Sequence, residues 1–405
     1  MKRVVITGIG MINSLGLDKD SSFKAICDGK TGVDYITLFD ATDFPVQIAA
    51  EVKNFDPFEV VEDGKEVKKM DRFIHLGLKA ASEAMEDANF DNFDSEEFGV
   101  SSAAGIGGLP NIEKNSIVCD KRGPRRISPF FIPSSLVNML GGIVSIAHNL
   151  KGPNLSSVTA CAASTHAICE AVKTIKVGCA KKMLVVGAEA AICATGVGGF
   201  AAMKALSDRN DDPKTASRPF DKGRNGFVMG EGAGALVLEE YEDAKARGAK
   251  IYGEIIGFGE SGDAYHITSP TLDGPLRAMK KALKMAGNPK IDYVNAHGTS
   301  TPVNDRNETN ALKEIFGKDS VPIVSSIKGQ VGHCLGAAGA IEAVTCLMAM
   351  QEGIIPPTIN QIEKDEECDL DYVANEKRKA DIRIVMSNSF GFGGTNGSII
   401  FKKLD

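Results

Sequence analysis

The chain has 405 residues, 43% of them hydrophobic and 24% charged, enough to bury the cores of two domains or of one large duplicated unit. A net charge of −7 argues against nucleic acid as the main partner, while leaving room for an acidic partner on a local basic patch. No apolar run approaches the ~20 residues needed to cross a bilayer, and Met1 to Ile6 runs directly into a strand-like segment rather than a secretory leader, so a cytoplasmic protein with no membrane span is expected.

The elements alternate in the manner of an α/β protein. Val4 to Gly8 is a short β-branched strand, and helical spacing follows from Leu76 to Asn89. Phe98 to Ser102 is a strand entering the turn Gly105-Ile106-Gly107-Gly108. Leu155 to Ala160 is a strand that gives way at Cys161 to a helix through Val177, and Lys182 to Gly187 and Gly234 to Glu239 are further buried strands. The order then repeats. Ile251 to Gly257 is a strand, Leu276 to Gly287 a helix, Ile291 to Ala296 and Val321 to Ser326 strands, Gly336 to Gln351 a helix, and Ile382 to Met386 a strand entering Gly391-Phe392-Gly393-Gly394. Two halves with like element order, 1–250 and 251–405, predict an internally duplicated fold with its boundary near Gly248. The charge-rich stretches 56–71 and 363–381 are expected on the surface.

Nine cysteines are scattered with no Cys-x-x-Cys pair, which argues against a disulfide framework or a zinc site. Cys161, in Thr159-Ala160-Cys161-Ala162-Ala163, differs from the rest. It lies at a strand-to-helix turn, where a helix N-terminus favours thiolate and lowers the thiol pKa from about 8.5. A buried cysteine in a tight turn is the competing reading. His297 follows a strand and precedes Gly298-Thr299-Ser300-Thr301, and His333 sits in the small-residue run Gly332 to Gly339. Either could instead be a structural cap. As a set, a thiol can hold an acyl group as a thioester, and two imidazoles can donate to a thioester carbonyl that becomes an enolate, with no metal needed. Gly391 to Gly397 would supply backbone N–H groups at a flexible turn, and it matches phosphate or dinucleotide motifs poorly.

Taken with Arg218-Pro219-Phe220-Asp221, Gly230-Glu231-Gly232-Ala233-Gly234, Asp263 to Pro270, Lys328 to Gly339 and Asn388 to Asn396, these segments resemble the β-ketoacyl-[acyl-carrier-protein] synthases along essentially the whole chain. Among them the type II elongating enzymes are most similar. The resemblance implies a thiolase-like α/β fold, five-layered in αβαβα order, and a homodimer. It implies decarboxylative Claisen condensation in fatty-acid elongation, with the acyl chain on Cys161, malonyl-carrier protein as donor, and acyl carrier protein as partner. His297 and His333 would stabilise the enolate, Lys328 would order the pair, and the N–H groups of Cys161 and Phe392 would form an oxyanion hole. Phe392 would gate a pocket walled by Ile106 and Phe200, with Thr268, Thr299 and Thr301 along the phosphopantetheine arm. Initiating synthases carry Cys-His-Asn and thiolases a second Cys, whereas this chain has His333 there.

No cofactor is implied beyond the carrier's own arm. A structural monovalent cation would match Asn295, Ala296, Glu342, Ser387 and Asn388, with a plain hydrogen-bonded Glu342 as the alternative. For the carrier, Lys65, Lys68, Lys69 and Arg72 form one basic cluster and Lys121, Arg122, Arg125 and Arg126 another, either of which could instead be a solvated face. A polyketide-type synthase and a non-catalytic carrier-binding scaffold are the competing functions. The intact Cys161, His297 and His333 disfavour the scaffold.

Overall fold

The computed structural model describes residues 2–404, so Met1 of the first strand-like run and the terminal Asp405 lie outside the described residues. Ten strands are hydrogen-bonded into one sheet. In chain order they are β1 (Val4–Asn13), β2 (Phe98–Ala103), β3 (Asn154–Ser157), β4 (Lys182–Glu189), β5 (Gly232–Glu240), β6 (Gly253–Gly262), β7 (Tyr293–Asn295), β8 (Ile323–Ser325), β9 (Ile384–Gly391) and β10 (Thr395–Lys402). The spatial order is β8-β7-β9-β10-β6-β1-β5-β4-β2-β3. It reads as two equivalent five-stranded halves meeting back to back, with β1 matching β6, β2 matching β7, and so on to β5 and β10. The halves join through a short antiparallel contact in which Val5 pairs with Glu254 and Ile6 with Gly253.

The same local packing occurs in both halves. The helix α1 (Arg72–Ala88) lies on β1 so closely that a Cβ on Gly8 or Gly10 would sit 2.2 or 2.1 Å from the carbonyls of Ala84 and Ala80. After α2 (Ala163–Val177), the helix α3 (Asp273–Met285) repeats the arrangement on β6, where a Cβ on Gly257 or Gly259 would meet the Ala282 and Ala278 carbonyls at 2.4 and 2.0 Å. Gly-x-Gly in the strand and Ala-x-x-x-Ala in the helix are therefore one device used twice.

The helix α4 (Pro302–Phe316) packs beside α3 on the outer face of the second half. The helix α5 (Ala338–Glu352) is buried from Ala338 through Met350, as expected of a helix apolar on every side. It and α2 lie between the half-sheets, with Ile168 and Ile175 of α2 and Val344 and Leu347 of α5 in one core with Ile6, Leu236, Val385 and Phe401. Separate cores lie under α1, with Ile74, Val100 and Val186, and under α3, with Met279, Val294 and Ile400. Helix, half-sheet, paired helices, half-sheet and helix make the five layers.

The sequence boundaries shift in understandable ways. β1 extends through Asn13, five residues beyond the expected Gly8, because its two glycines serve helix packing rather than ending the strand. Residues 395–402, expected only as a glycine-rich turn, form β10, paired with β9 from Gly391↔Thr395 to Ile384↔Lys402. The stretch 56–71 holds two short helical turns, Pro57–Glu59 and Gly64–Val67, neither with a buried residue. All nine cysteines are free, and seven are buried.

Candidate active site

The inner helices α2 and α5 both begin at the same end of the layered core, and a cavity of about 500 Å³ opens there. Ligands in α/β folds collect at such strand ends and helix N-termini. The turn Ala160–Ala162 delivers Cys161 into α2, and Ala160 has φ +49°, a left-handed conformation that costs an L residue strain. Cys161 is 8% exposed and lines the cavity. His333 Nε2 lies 3.1 Å from its Sγ. The N–H groups of Phe392 and of Cys161 itself are also directed at the sulfur.

The proton on His333 can be placed. Its Nδ1 accepts the Leu335 N–H at 3.3 Å, so the neutral ring carries hydrogen on Nε2 and donates it to the sulfur. The residue is locked on both sides, since its own N–H donates to Val228 O at 2.7 Å and its carbonyl accepts from Gly230 N at 2.9 Å. His297 leaves β7 with its backbone N–H on Glu308 Oε1 and the Gly298 N–H on Oε2, both at 2.9 Å. The two imidazoles stand edge to face with centroids 5.4 Å apart. Burial, with the Lys328 charge nearby, holds both well below the usual histidine pKa, so both are neutral donors at pH 7.

Lys328 is 1% exposed and does not line the cavity. Its ammonium donates to the His297 carbonyl at 2.6 Å and pairs with the Glu342 carboxylate. Burial raises the Glu342 carboxyl to about 7 while Lys328 opposes that rise.

The thiol itself departs from the sequence reading. Burial pushes Cys161 up to about 12, with Lys328 and the two N–H groups only partly offsetting it. The helix N-terminus is present as expected, but burial of the sulfur outweighs it, so the resting group is a thiol hydrogen-bonded by His333.

Ile106, Phe200, Thr268, Thr299, Thr301 and Phe392 all line the same cavity. Thr299 and Thr301 hydroxyls are 2.9 Å apart, and Phe392, 36% exposed at the mouth, lies 6.4 Å from the Phe200 ring. Among the cation-matching residues, the buried Asn295 Oδ1 and Glu342 Oε2 lack a partner among the described residues, whereas Asn388 is engaged through Nδ2 with Glu308 and through Oδ1 with Ser398. Lys65, Lys68, Arg125 and Arg126 are exposed. Lys69 pairs with Glu66 and lies 5.1 Å over the Phe130 ring, four residues beyond Arg126. Arg72 is not part of an exposed basic cluster, because it turns inward onto the buried Glu231 at 2.7 and 2.9 Å.

Sequence reading missed Glu308 and Asp305, which hold the amides of His297, Gly298 and Thr299. Their i, i+3 spacing in the helix that follows the His297 loop was the available signal. Glu189 was also missed, and nothing local in Gly187-Ala188-Glu189 announces it.

Residues 1–244 match the β-ketoacyl synthase N-terminal domain, and residues 252–361 match its C-terminal domain. The chain belongs to the β-ketoacyl synthase family. It is thus an acyl-transferring, condensing enzyme of thiolase-like fold. It is similar to a 3-oxoacyl-[acyl-carrier-protein] synthase 2 of Coxiella burnetii, 50% identical over 100% of this chain and 99% of the relative. Among solved structures it is similar to a β-ketoacyl synthase from Burkholderia phymatum, with a TM-score of 0.93, 36% identity and full coverage of both chains. A type II polyketide ketosynthase solved in complex with its acyl-carrier protein is also similar, with a TM-score of 0.90 and 31% identity over both full chains.

Proposed function

We propose that Cys161, His297 and His333 carry out the condensation as nucleophile and paired hydrogen-bond donors, on fatty-acyl and malonyl groups delivered by acyl carrier protein. The carrying observation is one sulfur, two neutral imidazoles and two backbone N–H groups converging on one cavity. Cys161 attacks the acyl thioester, and the carrier thiol leaves with the Cys161 proton. The tetrahedral oxyanion would lie between the N–H groups of Cys161 and Phe392. Malonyl-carrier protein then loses CO₂, leaving an enolate whose oxygen accepts from His297 and His333. Its carbon attacks the acyl-cysteine, giving 3-oxoacyl-carrier protein and a Cys161 thiolate that takes a proton from solvent. Lys328 holds the His297 backbone and acts through that residue. Ile106 and Phe200 would wall the acyl chain, Phe392 would close the mouth, and Thr268, Thr299 and Thr301 would meet the carrier's arm.

Lys65, Lys68, Lys69, Arg125 and Arg126 would receive the acidic carrier. A homodimer is part of the reading. The edge strand β3 and its surroundings leave Leu155, Val158, Leu136 and Ile146 at 47–79% exposure, whereas the equivalent edge β8 is covered by an Asp371 backbone bond to Val324. The unpartnered Asn295 and Glu342 oxygens fit a monovalent cation, which would offset negative charge beside Lys328. Nine free cysteines favour a reducing, cytoplasmic setting, and no helix among the described residues is long and apolar enough to cross a membrane. The test is a reconstituted reaction with acyl-carrier proteins of several lengths and malonyl-carrier protein. A 3-oxoacyl product two carbons longer supports the reading, and its absence at every length sinks it.

A further inference from the structure

The duplication places a second amide nest opposite the catalytic one. Ala160 at φ +49° precedes Cys161, and Leu335 at φ +46° precedes Gly336. Each opens a three-residue turn, Ala160–Ala162 or Leu335–Ala337, that leads into an inner helix. Gly336 is therefore the counterpart of Cys161. The strand ends correspond as well. β9 ends at Gly391, where an added Cβ would lie 3.2 Å from the Cys161 nitrogen, and its equivalent β4 ends at Glu189.

Where the catalytic half leaves open space, the other half inserts a carboxylate. Glu189 is wholly buried. Its Oε2 accepts from Gly105 at 2.6 Å and Gly336 at 3.0 Å, and its Oε1 from Gly107 at 3.0 Å and Ile106 at 3.2 Å. Burial raises the pKa of Glu189, and the four N–H donors, with the N-terminus of α5, oppose that rise and favour the carboxylate. The bonds link two working parts. Gly105 to Gly107 carries Ile106, the cavity wall. Gly336 follows Leu335, whose N–H fixes His333 Nδ1 and hence the proton aimed at Cys161.

We propose that Glu189 is a positioning residue, a built-in anion that fills the duplicate amide nest and sets both the Ile106 wall and the His333 ring. The inference rests on the condensing role proposed above. Its consequence is that acyl-chain selection depends on a carboxylate that touches no substrate.

The test compares wild type with Glu189→Ala and the near-isosteric Glu189→Gln. Glu189→Ala is expected to lose about 10- to 100-fold in condensation kcat/KM, as charge-assisted bonds are removed, with a changed dependence on acyl length. Formate should enter the emptied nest, saturably restoring activity and raising the melting temperature of Glu189→Ala, with no effect on Glu189→Gln. Glu189→Gln should also change the length profile, because its amide NH₂ faces donors. A folded Glu189→Ala with the wild-type length profile and no response to formate overturns the proposal. If that variant does not fold, a wild-type length profile in Glu189→Gln overturns it. Failure of the wild type itself to condense would strike the functional reading, whereas the formate-dependent melting shift tests the nest without any activity.

Discussion

Replacing His333 by alanine removes the one side chain bonded to the Cys161 sulfur among the described contacts. The fixed Nε2–H is lost, so the enolate would keep only the His297 donor. One preorganised donor to a developing oxyanion is worth about 2.7–4 kcal/mol, or roughly 10²–10³ in kcat. The same change strands the Leu335 N–H, a buried donor whose orphaning costs about 1–3 kcal/mol of stability. Labelled CO₂ release from malonyl-carrier protein reads the enolate step, and single-turnover acylation of Cys161 reads the first step. Decarboxylation should fall by the full factor and acylation by less. His333→Asn, which keeps an N–H donor, should recover part of the loss. A folded His333→Ala that decarboxylates within about tenfold of wild type would refute the reasoning.

Lys328→Met would leave the buried Glu342 carboxyl, already raised to about 7, without the charge that lowers it, so it should take a proton near neutral pH. The cost in denaturant unfolding should rise toward about 3–5 kcal/mol as pH is raised above 7, and Glu342→Gln added to it should remove that pH dependence. With Cys161 pushed up to about 12, iodoacetamide alkylation should accelerate about tenfold per pH unit from pH 6 to 9; a plateau below pH 9 would mean that the helix N-terminus outweighs burial. Leu155→Arg with Val158→Glu on the exposed edge should yield monomers by light scattering, and an unchanged mass would place the dimer contact elsewhere.

Much of the architecture was legible because both halves obey simple periodicities. The β-branched runs at Val4 and Lys182 and the apolar helix from Gly336 require burial wherever the chain goes. Cys161, His297 and His333 stood out through small, Gly-rich surroundings that leave room for substrate. What stayed hidden depends on distance in sequence. The Arg72–Glu231 pair spans 159 residues and Glu189–Gly336 spans 147, so no local pattern reveals either. The thiol pKa was misread for a related reason. The turn announces a helix N-terminus, but burial of the sulfur is set by the assembled cavity, to which Leu335 and Phe392 come from the other half.

The most direct test of the central claim is intact-protein mass after mixing with acyl-carrier protein and then malonyl-carrier protein, with Cys161→Ala alongside. The account predicts an acyl adduct on the wild type alone, discharged on malonyl addition as a 3-oxoacyl product two carbons longer. No adduct on the wild type at any chain length, or an equal adduct on Cys161→Ala, would contradict it.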